Sequence, residues 1–233
     1  MMPEPELAPP DAKHPTPKSR PARLLLVRHG QTAYNAERRW QGHLDAPLDD
    51  TGREQARRLA AHLRAQGISG PIIHASDLSR AYATAEALFT ALGGTLHAQA
   101  ALREIHVGDW EGHLYDDVAA AHPELSRRFW NGDPHAGAPG GETPAQVARR
   151  MHEFALAHWP RAGESVILVS HGIAITGLLT TVLNLDYGAS WASRTTEHHN
   201  TAYSVLQVDP VTREILAVDI ARTDHLHLAS AAP

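Results

Sequence analysis

Leu24-Leu25-Leu26-Val27-Arg28-His29-Gly30-Gln31-Thr32 is an apolar run, short enough for a buried strand, that ends abruptly in a cation, an imidazole and a glycine. Such a run predicts a strand buried on both faces, and its end delivers a charged cluster to the rim of a sheet, where α/β proteins place their chemistry. The construction recurs downstream: Val166-Ile167-Leu168-Val169 runs into Ser170-His171-Gly172 and then into an apolar helical stretch. A third stub, Ile72-Ile73, leads to Ser76-Asp77-Leu78-Ser79-Arg80 and places an arginine at the opening of a helix. These three strand ends are expected to share one crevice. Because cations are disfavoured at a helix N-terminus, Arg80 calls for a compensating anion.

A chain of 233 residues suits one α/β domain with a sizeable core. The formal net charge of −5 gives no global attraction for nucleic acid. Without cysteine there is no disulfide framework, thiolate metal site or cysteine nucleophile, which is compatible with a cytoplasmic location. The apolar runs are too short to span a bilayer, and residues 1–21, rich in proline and charge, read as a disordered tail with no apolar h-region. Histidine is abundant, at 17 residues, but His198-His199 and His225-x-His227 lack the spacing and acidic company of a hydrolytic zinc site. The surplus histidines are expected to face solvent, and neither a metal nor an organic cofactor is required.

Between these points strand and helix signals alternate. Thr51-Gly52-Arg53-Glu54 has capping-box spacing, and Ala56, Leu59, Ala60 and Leu63 mark one helical face before Gly67. Ala81, Ala85, Leu88 and Leu92 mark a second helix that ends at Gly93-Gly94. Leu96 to Leu102 alternates as a half-exposed strand, with Glu104 just beyond it. The stretch from about 110 to 142, punctuated by Asn131-Gly132-Asp133-Pro134 and Pro139-Gly140-Gly141, reads as an irregular inserted lid. Thr143-Pro144 opens another helix with Val147, Met151 and Phe154 on its apolar stripe. Ala202 to Val208 and Ile215 to Ile220 flank Asp209-Pro210 as an antiparallel hairpin. The result is a three-layer α/β/α sandwich with a mostly parallel central sheet and an antiparallel edge. Its catalytic domain spans 22–222, followed by a tail over 223–233. The hairpin leaves an edge on which a homodimer could pair, against which Arg213, Glu214 and Asp219 act.

Two arginine forks and a second imidazole match phosphate oxygens, and a glycine beside each histidine allows close backbone approach. Surrounding positive charge favours neutral His29, whose free ring nitrogen could attack phosphorus. Departure of an alcohol calls for a proton donor, for which Glu104, Asp109 and Glu111 compete. A salt bridge to Arg103 or another arginine is the structural alternative for Glu104.

The motifs Arg28-His29-Gly30-Gln31-Thr32 with Asn35, Gln41-Gly42 with Asp45-Pro47-Leu48, Ser76 to Ala81 with Thr84, Leu102-Arg103-Glu104, Gly108-Asp109-Trp110-Glu111-Gly112 and Ser170-His171-Gly172 stand in this order from about Leu24 to Asp209. In them the chain resembles the histidine phosphatase superfamily, the group that includes cofactor-dependent phosphoglycerate mutase. The resemblance implies a covalent phosphohistidine on His29. Arg28, Arg80 and His171 would hold the phosphoryl oxygens, and Glu104 would act as proton donor and then as base for water. Asn35 and Gln41 with Gly42, and Gly172, would line the phosphate pocket. The short segment after Glu104, with His113, Arg127, Arg128, Trp130 and His135, does not show the mutase pattern. The Gly108-to-Gly112 and Gly140-Gly141-Glu142-Thr143 runs resemble the small phosphatase branch. The expected activity is hydrolysis of a small phosphomonoester. A phosphoglycerate mutase and an idle phospho-ligand binding domain are the alternatives. Trp110, Tyr115, Phe129 and Trp130 read equally as a leaving-group platform and as lid packing.

Overall fold

Leucines and valines in unbroken runs leave no polar face, so each run must lie between two layers. In the computed structural model, which describes residues 22–227, the first run is strand β1 (Ala22–Arg28) and the second is β4 (Ser165–Ser170). Leu24 and Leu26 of β1, with Val166 and Leu168 of β4, enter one core cluster; Leu25, Val27, Ile167 and Val169 enter the other. Helices α2 (Asp50–Ala65) and α3 (Ser79–Leu92) cover the second cluster, and α6 (Pro144–Ala157) and α7 (Gly172–Val182) the first, while α1 (Ala33–Ala36) and α8 (Tyr187–Ala192) are short. The expected three layers are present.

The remaining strands are β2 (Ile72–Ala75), β3 (Thr95–Ala98), β5 (Tyr203–Val208) and β6 (Ile215–Arg222), and the sheet runs β3-β2-β4-β1-β5-β6. β1, β2, β3 and β4 are parallel, while β5 and β6 are antiparallel. Arg28 stands beside Ser170, and Ala75 beside Val169, so the carboxyl ends of β1, β4 and β2 finish at one rim. The amides of His29 and Ser76 extend the ladder onto the Ser170 and Val169 carbonyls, at 3.0 and 2.9 Å. This register brings the three strand ends into one crevice, as expected.

Several local expectations are corrected. Thr51 does not cap α2: Asp49 does, its carboxylate accepting from the Gly52 amide at 2.7 Å, which leaves Thr51 inside the first turn. The alternation of 96–102 does not hold as one strand, because the chain leaves the sheet after Ala98 and tightens into a 3-10 turn at Ala100–Leu102, burying Leu102. The region expected as an irregular lid contains helices α4 (Tyr115–Ala121) and α5 (Pro123–Trp130), with Pro123 at the first position of α5. Trp110, Val118, Phe129, Ala136 and Ala138 from this region are buried in the α6/α7-side core, so it is part of the body. Beyond Arg222, where a tail was expected, the turn α9 (Asp224–His227) buries His225 and packs on α2. The rest of that segment, and the N-terminal tail over 1–21, lie outside the described residues. Among the described residues no helix is long and apolar enough to cross a membrane.

The loop after His29 and the start of α2 interlock backbone to backbone. A Cβ on Gly52 would sit 2.1 Å from the Gln31 carbonyl oxygen, and one on Gly30 would sit 2.4 Å from the Gly52 carbonyl oxygen. Gly30 thus serves this contact. Helix propensity alone favours alanine over glycine at position 52; the contact reverses the sign. Gly52→Ala is expected to destabilise by at least ~2 kcal/mol in denaturant unfolding, and an unchanged or raised midpoint would contradict the interlock.

Histidine burial also departs from expectation. His74, His198 and His225 are buried, and burial first of all, with neighbouring positive groups next, lowers each to about 4. In the unfolded chain they take protons as the pH falls through about 6.5. Between there and about 4 the unfolded state binds more protons than the folded one, so stability falls as pH falls. Calorimetry should show a Tm level above pH 6.5 that declines steadily toward pH 4; a Tm unchanged down to pH 4.5 would contradict this.

Candidate active site

At the rim where β1, β4 and β2 end lies a cavity of about 370 Å³, with Arg28, His29, Asn35, Gln41, Gly42, Arg80, Glu104 and Gly172 in its wall. His29 is buried in this wall, and His171, fully buried and not itself part of the wall, lies next to it with ring centroids 5.0 Å apart. The Nδ1–H of His29 donates to the Gly30 carbonyl at 2.6 Å, which fixes the tautomer and leaves Nε2 with its lone pair bare. Burial, then the charges of Arg80 and Arg28, hold the His29 pKa well below its ordinary value. His171 is depressed in the same way, by burial, Arg80, His29 and Arg28. Both imidazoles are therefore neutral at neutral pH.

Arg28 gives Nη1 to the His198 carbonyl at 2.6 Å. Arg80, expected to call for an anion, reaches the carbonyls of Leu44 and Gly42, each at 2.8 Å, and has the carboxylates of Glu104 and Asp45 near enough to favour its charge. Gly42 thus engages Arg80 through its carbonyl, and its left-handed φ of 51° and crowded Cβ position favour glycine. Carbonyls neutralise no charge: burial lowers Arg80 to about 10, and it remains a cation. Arg28 Nε, Arg80 Nε and both ring nitrogens of His171 are buried without a partner. Leaving such groups unpaired in a dry site is costly, and an anion would accept from the N–H donors among them, though not from the bare nitrogen of neutral His171.

Asn35 and Gln41 are oriented to contribute. The Asn35 side-chain oxygen accepts from the Thr32 amide and from Asn200, and the Gln41 oxygen accepts from the Thr32 hydroxyl. Both side chains line the cavity, and with the oxygens engaged the amide nitrogen is the donor each has left. A Cβ built on Gly172 would stand 3.6 Å from the Arg28 guanidinium, an ordinary contact, so crowding by Arg28 does not by itself require glycine there.

Glu104 separates from its rivals. Its structural alternative falls away because Arg103 pairs with both oxygens of Asp77, at 2.6 Å each, and Arg150 pairs with Glu142. The Glu104 carboxylate instead lies at the start of α7: Oε1 accepts from the Ala174 and Ile105 amides at 3.0 Å, and Oε2 from Ile173 at 3.2 Å. Oε2 keeps a free lone pair. Asp109 is exposed, Glu111 accepts from the His43 amide, and neither lines the cavity.

A sequence profile of the histidine phosphatase superfamily (branch 1) matches residues 24–220. The chain belongs to this superfamily. Among its relatives, the glucosyl-3-phosphoglycerate phosphatase of Mycolicibacterium vanbaalenii is 41% identical over 171 residues, covering 70% of this chain and 75% of the relative. A probable phosphoglycerate mutase of Klebsiella pneumoniae is 40% identical over 164 residues, with the same coverage. The mycobacterial glucosyl-3-phosphoglycerate phosphatase solved with VO3 is 33% identical, with a TM-score of 0.74 over 85% of this chain and 97% of that one. Bacillus stearothermophilus YhfR is 31% identical, with a TM-score of 0.76 over 88% and 99%. The fold is phosphoglycerate mutase-like, and the protein is a phosphatase of small phosphorylated metabolites.

In this histidine phosphatase the outer cavity wall holds residues that carried no sequence signal. Tyr115 and Trp130 line it as expected for a platform, whereas Trp110 and Phe129 are core packing. Trp40 and Trp191 complete the aromatic wall, with the Trp40 ring 4.8 Å from Tyr115 and 5.5 Å from Trp130. Asn200, also missed, donates to the His29 carbonyl at 3.1 Å and ties the His29 backbone to Asn35. Trp191 and Asn200 lie far from any motif, and only the fold brings them to the site. Among the described residues no cluster suited to a metal ion is present.

Proposed function

We propose that this phosphatase works through a phosphohistidine on His29. The observation that carries the reading is the bare Nε2 of His29, set beside the buried, unpartnered donors of Arg28, Arg80 and His171. With the ester phosphate among those donors, the Nε2 lone pair forms the P–N bond as the P–O bond to the leaving group breaks. The electrons of the broken bond stay on the leaving oxygen, which takes a proton from Glu104 and departs as an alcohol. Water then attacks phosphorus and passes a proton to the Glu104 carboxylate; the P–N bond breaks, phosphate leaves and His29 recovers its lone pair. The guanidiniums offset the charge that develops on the equatorial oxygens. No step calls for a metal or an organic cofactor.

The cavity is larger than one phosphoryl group requires, and its aromatic outer wall supports a leaving group with apolar surface. The relatives named for glucosyl-3-phosphoglycerate make a glycosylated phosphoglycerate the first natural candidate. The relatives named as probable phosphoglycerate mutases support a second reading, transfer back to a glycerate. Against it, Arg127 and Arg128 are engaged by Glu124 and Asp133, and they and His113 and His135 lie outside the cavity wall. Arg39 and Arg194, which do line it, are paired with Glu37 and Glu197. The proposal extends to a cytoplasmic setting without nucleic-acid or membrane partners, in keeping with the net charge and the cysteine-free chain, and to β6 as the edge on which a homodimer would pair.

The test is phosphate release in the presence of a chelator, from p-nitrophenyl phosphate and 3-phosphoglycerate in parallel, with mutase turnover followed in the same preparation. Chelator-resistant release is the expected result. Mutase turnover with little release would transfer the protein to the second reading, and silence in every assay would restore the idle binding domain.

A further inference from the structure

The loop that carries Glu104 leaves the sheet in a 3-10 turn and has no strand or helix of its own to fix it. It is held from α6. Arg150, half-buried on that helix, donates Nη1 to the carbonyls of Ala101 and Arg103, at 2.9 and 3.0 Å, and Nη2 to the carbonyl of Glu104 itself at 3.3 Å. The other side of the guanidinium meets Glu142, with Nη2 to Oε2 at 2.9 Å and Nε to Oε1 at 3.2 Å. Glu142 in turn accepts the His106 amide at 3.0 Å, so the same ion pair grips the chain on both sides of Glu104. From the opposite flank, His43 donates Nε2 to the Glu104 carbonyl at 2.9 Å.

Neither Arg150 nor Glu142 lines the cavity. A surface ion pair of this kind is ordinarily worth little to stability. This one spends its fork on three carbonyls of one short stretch, those of Ala101, Arg103 and Glu104, a task a planar guanidinium performs and an ammonium does not. We infer that Arg150, braced by Glu142, is a positioning residue for proton transfer, holding the Glu104 loop so that its carboxyl meets the leaving oxygen. It touches neither phosphate nor leaving group, and its effect should follow the demand for a proton.

This inference rests on Glu104 as the proton donor, so the test runs Arg150→Met beside Glu104→Gln. The readout is kcat/KM, which reports the step that expels the leaving group, measured on an alkyl phosphate and on p-nitrophenyl phosphate, whose leaving group departs unprotonated. For Arg150→Met the alkyl phosphate should lose about tenfold to a hundredfold, the scale of a small misplacement of a catalytic group, while p-nitrophenyl phosphate loses at most about threefold. Arg150→Lys, which keeps the charge and can serve one carbonyl, should fall between Met and wild type. A preserved nitrophenyl rate also certifies the fold of the variant. Equal losses on both substrates, or no loss on either, would overturn the inference. A split by leaving group in Glu104→Gln but not in Arg150→Met would overturn the inference alone, and no split in either variant would overturn the acid assignment as well.

Discussion

His29→Ala is expected to lower phosphate release by at least roughly 10⁴-fold on every substrate, the scale on which loss of a nucleophile acts in enzymes with covalent intermediates. The loss should fall on turnover and not on phosphate recognition. Arg28 and Arg80 line the cavity and keep unpartnered nitrogens that do not depend on the His29 ring, and His171 keeps its own beside them. The variant should therefore still bind inorganic phosphate or vanadate, as calorimetry or protection against heat unfolding would show. Substantial turnover in His29→Ala would remove the nucleophile assignment. Loss of anion binding together with turnover would mean that the ring shapes the phosphate pocket, not that it attacks.

The second large effect is selective. Glu104→Gln should lower kcat/KM for alkyl phosphates by roughly 10²- to 10⁴-fold, the range for a positioned acid, and should leave release of nitrophenolate much less affected. The substitution retains an oxygen for the Ala174 and Ile105 amides, while the amide nitrogen that replaces Oε2 cannot accept from the Ile173 amide, so that one hydrogen bond is lost. Because the same carboxylate receives the proton of water in the second step, hydrolysis of the phosphoenzyme should also slow. With p-nitrophenyl phosphate the variant should then show a burst of nitrophenolate followed by slow turnover. Equal loss of kcat/KM on both kinds of substrate, without a burst, would assign Glu104 another role.

The fold was legible where burial on both faces writes an unbroken apolar run. β1 and β4 announce themselves this way, and the residues that end those runs, Arg28-His29 and Ser170-His171, belong to the site because parallel neighbours finish at the same rim. Position 80 was legible for a related reason, since β2 is the next strand over and α3 begins directly behind it. Elsewhere the local pattern misled. Thr51 has the spacing of a cap, but Asp49 lies two residues earlier and took the Gly52 amide first. The lid's punctuation by glycine and proline concealed Leu125 and Phe129, an i, i+4 pair that seats α5 on the core. His74, His198 and His225 carry no mark of burial in sequence, because a polar side chain becomes a core residue only through neighbours that the fold supplies.

The candidate site divides along the same line. Groups fixed by their own strand end could be read directly. Spacing alone leaves Glu104 level with Asp109 and Glu111, and the family resemblance prefers it; the amides at the start of α7 that hold its carboxylate, and the turn of Arg103 to Asp77, can be read only from the fold. The aromatic wall needed Trp40, Trp130 and Trp191 to meet from separate segments of the chain.

The most direct test of the account is a rapid-quench experiment on Glu104→Gln with p-nitrophenyl phosphate, in which the quenched protein is digested under alkaline conditions that preserve phosphohistidine and the phosphorylated peptide is located by mass spectrometry. The account predicts protein-bound phosphate in step with the nitrophenolate burst, carried by His29 and labile to acid. A burst with no phosphate on the protein, or phosphate mapped to any other residue, would contradict it.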